Sequence, residues 1–121
     1  MTGTVRLDGG ASVSAEFDDR VWRVAGDPLV TPLKHGPLDG LAVAVKDLFA
    51  VKGFAVGAGN PEFLRDSPIR PGNAWAVDVL LAAGACVRGI ARTDEFAYSL
   101  AGTNIHYGTP PNPLAPGRVS G

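Results

Sequence analysis

The sequence predicts an α/β fold with a small N-terminal β addition. Three observations carry the prediction. "LAVAVKD" (Leu41 to Asp47) and "ACVRGIA" (Ala85 to Ala91) are short apolar runs of strand length, and "AWAVDVLLAA" between them has the length and apolar content of a helix. A strand, a crossover helix and a second strand form a βαβ unit, so the two strands are expected to be parallel with a right-handed crossover. At 121 residues the chain is at most one domain with a modest core.

Before this unit, "TVRLD", "SVSAEF" and "RVWRV" alternate apolar and polar residues, with Gly9-Gly10 and Asp18-Asp19 as turns. They read as a small β-meander, which makes residues 1–30 a β-rich segment ahead of a core over 31–121. "GDPLVTPLKHGPLDG" follows, broken by Pro28, Pro32 and Pro37, and reads as an irregular connector.

In the first core strand the two-residue period sets Leu41, Val43 and Val45 on one face and Ala42, Ala44 and Lys46 on the other. Lys46 thus ends an apolar run beside small residues. A lysine there must snorkel to water, find a carboxylate, or give up its proton and act as a base. Asp47 points to the opposite face, which makes it a poor ion-pair partner for Lys46.

Residues 51–72 hold no obvious long element, and a loop of that length in a compact domain is usually functional. Asn73 is placed to cap the following helix, Gly84 to end it, and Asp78 alone breaks its apolar surface, so the helix should be covered on most sides. After the second strand, Thr93 is placed to cap a short helix, "DEFAYSLA", closed by Gly102, with Asp94 and Glu95 in the first turn where the helix dipole favours acids. The remaining "TNIHYGTPPNPLAPGRVSG" is proline-rich and extended.

Composition narrows the function classes. The formal charge is −1 without a Lys/Arg cluster, which predicts neither nucleic-acid nor membrane-surface binding. No apolar run is long enough to span a bilayer, and "MTGTVRLDGG" has neither the basic nor the apolar region of a signal peptide. Cys86 is the only cysteine, so no internal disulfide or Cys-based metal site is expected; it reads as a small buried apolar side chain in a reducing, cytoplasmic setting. Gly and Pro, 16 and 10 residues, fall in blocks between apolar segments, which predicts ordered loops on a scaffold.

Three segments in order, "GPLDGLAVAVKDLFAVKG", "AGACVRGIARTDEFAYSLAGTN" and "HYGTPPNPLAPGRVSG", resemble the N-terminal part of the amidase signature family. They cover most of residues 36–121. "VKDLFAVKGFAVGAGNP" more narrowly resembles the branch containing plant indole-acetamide hydrolases and a related chloroplast outer-envelope import receptor. The resemblance implies the N-terminal part of a mixed-sheet α/β/α fold, and a cofactor-free amidohydrolase using a Ser–cis-Ser–Lys triad. In this family the lysine follows a strand in a "VKD" context, which implies Lys46 as the catalytic residue; Lys52, beside Gly53, is expected to be an exposed loop residue. The family's two serines come from a signature beginning "PGGSSGGS" or a close variant, and "APGRVSG" is the approach to it. Ser120 is expected to precede the bridging serine, with both serines beyond Gly121, so the 121-residue chain alone is expected to be inactive.

The resemblance also sets "DEFAYSLAG" beside the substrate channel. Tyr98 and Ser99 become candidates for substrate contact, with core packing as the equal alternative. His106 reads as a loop hydrogen-bonding residue, having no second histidine or acidic cluster near it in sequence, and Arg118 as a residue that orders the approach to the serines. The implied parent is an amidase acting on a small carboxamide, of which an aryl-acetamide is one candidate. The alternatives are a catalytically silent fragment or receptor-like module, and the A-type subunit of an aminoacyl-tRNA amidotransferase. The expected partners are the small amide substrate and either the remaining C-terminal polypeptide or a second copy, because an isolated piece of the sheet exposes apolar faces and an unpaired edge.

Overall fold

The computed structural model of the protein describes residues 2–6 and 12–121, the first two strands by their backbone alone. Strands β1 (Thr2–Arg6) and β2 (Ser12–Glu16) pair antiparallel, Thr2 opposite Glu16 and Arg6 opposite Ser12. The Gly9-Gly10 turn expected between them lies outside the described residues. The Asp18-Asp19 turn is present, with the amides of Val21 and Trp22 donating to the Asp18 carbonyl at 3.0 and 2.9 Å.

Strand β3 (Trp22–Val30) leaves that hairpin and joins a second sheet with β4 (Ala42–Lys46) and β5 (Cys86–Ala91), in the order β3-β5-β4. β4 and β5 are parallel, as the βαβ pattern predicts, and β3 runs antiparallel to β5. The expected connector from Gly26 is therefore corrected: the strand continues through Pro28 to Val30. Two features make the proline tolerable. β3 is an edge strand, and its register with β5 slips between Ala25 and Val30, so Pro28 lies in a bulged stretch where no ladder donor is required. Arg88 straps the bulge from β5, its Nη1 donating to the Gly26 carbonyl at 2.9 Å and to Asp27 Oδ1 at 2.8 Å.

β5 carries its own irregularity. The register between β4 and β5 shifts so that Val43 faces Val87 and Ala44 faces Gly89, which leaves Arg88 as the extra residue. Val87 and Ile90, an odd three positions apart, therefore both enter the core. Gly89 has to be glycine for space: a Cβ there would come within 2.8 Å of the Trp22 ring and 2.5 Å of the Val24 carbonyl oxygen.

The linking helix is α2 (Trp75–Ala82), and its inner face supplies Val77 and Leu81 to a core with Val45, Val51, Val87 and Ile90. Two details of its prediction are corrected. Ala74 occupies the cap position without a side-chain bond; Asn73, one residue earlier, instead accepts from the Lys52 amide at 2.7 Å and donates to Asp78 Oδ1 at 2.9 Å, tying the preceding loop to the first turn. The helix is also covered on one side only: Trp75 is 81% exposed and Val79 is exposed, because no other element among the described residues packs on the outer face. Gly84 ends the helix with φ at 104°, as expected of the residue that must turn left-handed there.

Residues 51–72 contain a short helix that the apolar pattern does not reveal, α1 (Pro61–Asp66). The Asn60 side chain accepts from the Phe63 amide at 2.9 Å, and Pro61 fills the first turn where its missing N–H costs nothing. The predicted helix over "DEFAYSLA" is reduced to a 3-10 turn, Glu95–Ala97. Phe96 and Ala97 have φ near 50° and 54°, a left-handed conformation that a right-handed helix cannot propagate through. Thr93 caps nothing. Cys86, expected to be buried, is half-buried at the start of β5.

Candidate active site

The parallel strands β4 and β5 end side by side, with Lys46 opposite Ala91, and the chain beyond each end folds over toward the other. An open cavity of about 460 Å³ lies at this carboxyl edge, lined among others by Lys46, Arg92, Asp94, Ser99, Asn104 and Ser120. The carboxyl end of a parallel sheet is where ligands are bound in open α/β folds.

Lys46 is the last residue of β4, on the face it shares with Ala42 and Ala44. All three are exposed, whereas Val45 is buried and Val43 half-buried on the other face. The two-residue alternation read from the sequence thus holds, but the Ala face does not bury the lysine: α2 covers only the opposite side of the sheet. Among the described residues Lys46 makes no ion pair. Of the three fates open to it, pairing with a carboxylate is not seen among the described residues, and its exposure lets the side chain reach water.

Asp47, its neighbour, takes the opposite course. Only 2% exposed, it lies among groups drawn from three segments. Its amide donates to the Ala91 carbonyl at 3.0 Å, its carbonyl accepts from the Ala58 amide at 2.9 Å, and its Oδ1 accepts from the Gly57 amide at 3.0 Å. Arg23 Nε stands 2.9 Å from Oδ2, off the line of its own N–H, so this contact is an ion pair and not a hydrogen bond. The same guanidinium donates through Nη2 to the Ala55 carbonyl. Burial pushes the Asp47 carboxyl above its ordinary value, opposed by the Gly57 N–H and by the charge of Arg23. Gly57 has no room for a side chain, since a Cβ there would overlap the Asp47 carboxylate.

Ser99 lines the Lys46 cavity, and its hydroxyl donates to Asp94 Oδ2. Asp94 is buried, as is Thr93, whose hydroxyl has no partner among the described residues. Tyr98 is placed elsewhere. It is 95% exposed, outside both the core and the lysine's cavity, beside an adjoining hollow with Phe96 and Ile105. Lys46 and Ser99 thus line one cavity and Tyr98 lies outside it, and among the described residues Tyr98 does not pack in the core.

Asn104 organises part of the wall of the same cavity. Its Nδ2 donates to the carbonyls of Gly59 at 2.8 Å and Thr93 at 3.0 Å, while its Oδ1 accepts from the amides of His106 at 2.8 Å and Tyr107 at 3.2 Å. Asn104 and Gly108 close a narrow backbone bridge. Arg92 stacks on the Tyr107 ring at 3.6 Å from its centroid and donates through Nε to the Asp19 carbonyl at 2.9 Å. His106 has the loop hydrogen-bonding role that the sequence suggests, with Glu95 as its partner. Arg118 contributes its amide to a turn with the Ala115 carbonyl, at 3.1 Å. Ser120 and Gly121 reach back to the Lys46 cavity, where they lie against Gly102.

Sequence reasoning missed Arg23, Gly57 and Asn104. Asp47 and Arg23 are separated by a loop and a strand and carry no local pattern that links them. Asn104, an asparagine in a turn-rich stretch, gives only the general signal of a residue that bonds neighbouring backbone.

Residues 26–121 match the family model described as Amidase. The chain is 43% identical over 106 residues to Amidase 1 of Arabidopsis thaliana, covering 88% of this chain and 25% of that protein. It is 36% identical over 118 residues to the chloroplastic Outer envelope protein 64 of the same plant, covering 98% of this chain and 19% of that protein. Among solved structures it is similar to an inhibitor-bound vestigial protein complex reported to reveal the origins of an s-triazine catabolic enzyme. That likeness has 31% identity and a TM-score of 0.71, over 84% of this chain and 25% of that one. The chain thus spans a quarter or less of the length of these relatives.

The chain is a mixed α/β scaffold with an open cavity at the ends of its two parallel strands. The chain belongs to the amidase family.

Proposed function

We propose that the full-length protein hydrolyses a small carboxamide and that Lys46 is its general base. The observation that supports this most is the placement of Lys46, free of any ion pair among the described residues, at the carboxyl edge of the sheet in a cavity it shares with Ser99 and Ser120. In this reading Lys46 takes a proton, as a neutral amine, from a bridging serine, which in turn takes one from the nucleophilic serine. The nucleophile adds to the amide carbonyl, the leaving amine is protonated as the C–N bond breaks, and water hydrolyses the acyl-enzyme. Both serines belong to the Ser/Gly-rich segment that the family resemblance sets after Ser120. Ser99 contacts substrate from the cavity wall; Tyr98 reaches substrate only if the rest of the fold closes over its hollow.

The test is Lys46→Met in the full-length protein, assayed by release of ammonia or amine from a panel of aryl and alkyl carboxamides. Loss of a general base lowers kcat by about 10²- to 10⁴-fold, with the fold intact by circular dichroism. Retained hydrolysis in a folded variant would overturn the assignment.

A second reading has an observation of its own. The match to an outer envelope protein extends over 98% of the chain, and that relative's name denotes no reaction. A module that keeps the fold without the chemistry would carry Lys46 but lack one or both serines, which the downstream sequence decides.

A further inference from the structure

The residue after the proposed base is anchored to three separate segments. Asp47 binds the Ala91 carbonyl on β5, the amides of Gly57 and Ala58 in the following loop, and the guanidinium of Arg23 on β3. Arg23 in turn reaches the Ala55 carbonyl in the same loop. On the near side, the amides of Leu48 and Phe49 both donate to the Lys46 carbonyl, at 2.7 and 3.0 Å. The backbone of Lys46 is thereby held between a tight turn and a buried clamp, although its own side chain touches no acid and is exposed.

A clamp of this composition is costly unless it does something. Burying two charges requires desolvation that their attraction does not reliably repay, and apolar residues of similar size often stabilise a fold as well or better. The Asp47 amide already ties the strand end to the Ala91 carbonyl without any charge. What the charged pair adds is a coupling of β3, the end of β4 and the loop at 55–58, made at the residue that follows Lys46.

We propose that Asp47, held by Arg23, is a positioning residue for Lys46: the buried pair fixes the backbone at which the lysine leaves the sheet, and with it the place of the amine in the cavity. This rests on the reading of Lys46 as general base. Asp47 does not touch substrate and takes no proton in the reaction.

The experiment uses the full-length protein with Asp47→Asn and Asp47→Glu, each with its melting curve. Steady-state kinetics is paired with mass-spectrometric measurement of how fast an acylating reagent modifies Lys46, with Lys34 and Lys52 as internal references. A base displaced by about an ångström loses up to about 100-fold in kcat, and because substrate binding is untouched KM stays within about twofold. The Lys46 labelling rate changes while those of Lys34 and Lys52 do not. Arg23→Met is expected to give the same loss, and the double variant Arg23→Met with Asp47→Asn no greater loss than either alone, because the pair acts as a unit.

A folded Asp47→Asn protein with wild-type kcat and unchanged Lys46 labelling would overturn the proposal. So would failure of both Asp47 variants to fold, which would make the pair a purely structural element. The labelling arm separates this from the catalytic assignment. If Lys46→Met keeps activity, the general-base reading fails, but an altered labelling rate in Asp47→Asn still establishes the coupling.

Discussion

Glu95 and His106, eleven residues apart, meet side chain to side chain and clasp the 3-10 turn after β5 to the loop that walls the cavity. Asn60, the cap of α1, donates to the same carboxylate oxygen at 2.9 Å, so three segments converge on one group.

Protonating this carboxylate should loosen the wall. The Asn60 amide and then His106 hold the Glu95 carboxyl below its ordinary value. A carboxyl lowered in the folded state lends stability that is present above its ordinary range and lost as pH falls through the folded value. Proteolytic cleavage around residues 104–108 is therefore expected to accelerate on acidification into and below the carboxylate range. Glu95→Gln should be cleaved faster at neutral pH and lose most of that dependence. Identical pH profiles for the two proteins would contradict the clasp.

Asn104→Ala removes four hydrogen bonds at once and strands two carbonyls, those of Gly59 and Thr93, in a part-buried setting. The expected cost is about 1–3 kcal/mol, mostly the penalty of unsatisfied backbone groups. Urea denaturation measures it. Asn104→Asp should recover little, since a carboxylate can accept from the amides of His106 and Tyr107 but cannot donate to the two carbonyls.

Leu81→Ala empties the middle of the core. Leu81 has no exposed surface and packs in one cluster with Val45, Val87 and Ile90. Truncation of such a leucine costs about 2–5 kcal/mol, according to how far the site collapses. Val79→Ala, on the exposed outer face of the same helix, serves as the control and should stay within about 0.5 kcal/mol in the same denaturation experiment.

The βαβ unit was legible because its signals are local. The alternation in "AVAVK" and the apolar helix closed by Gly84 each depend on neighbours within one element, and β4, α2 and β5 appear where these patterns put them. What was not legible depends on contacts across the chain or on backbone conformation. Pro28 is admitted to β3 because that strand is an edge and bulged beside β5, which no pattern within residues 22–30 announces. The helix expected at "DEFAYSLA" fails at Phe96 and Ala97, whose left-handed φ values contradict ordinary helical propensities. Lys46 could be singled out from its odd position at the end of an apolar run and from family resemblance. The Arg23 behind it could not, since only the pairing of β3 with β5 brings that arginine to Asp47.

The two tryptophans of this sequence differ in exposure, Trp22 being half-buried and Trp75 exposed. Trp22 lies with its ring against Gly89 in the sheet, and Trp75 stands in the open at the start of α2. Their fluorescence therefore divides naturally: a soluble quencher reaches Trp75 first, and its protection reports anything that settles on the outer face of the helix. Trp22, half-buried against Gly89, becomes fully accessible when β3 parts from β5. One emission spectrum, resolved by quenching, follows assembly and unfolding separately without an added label.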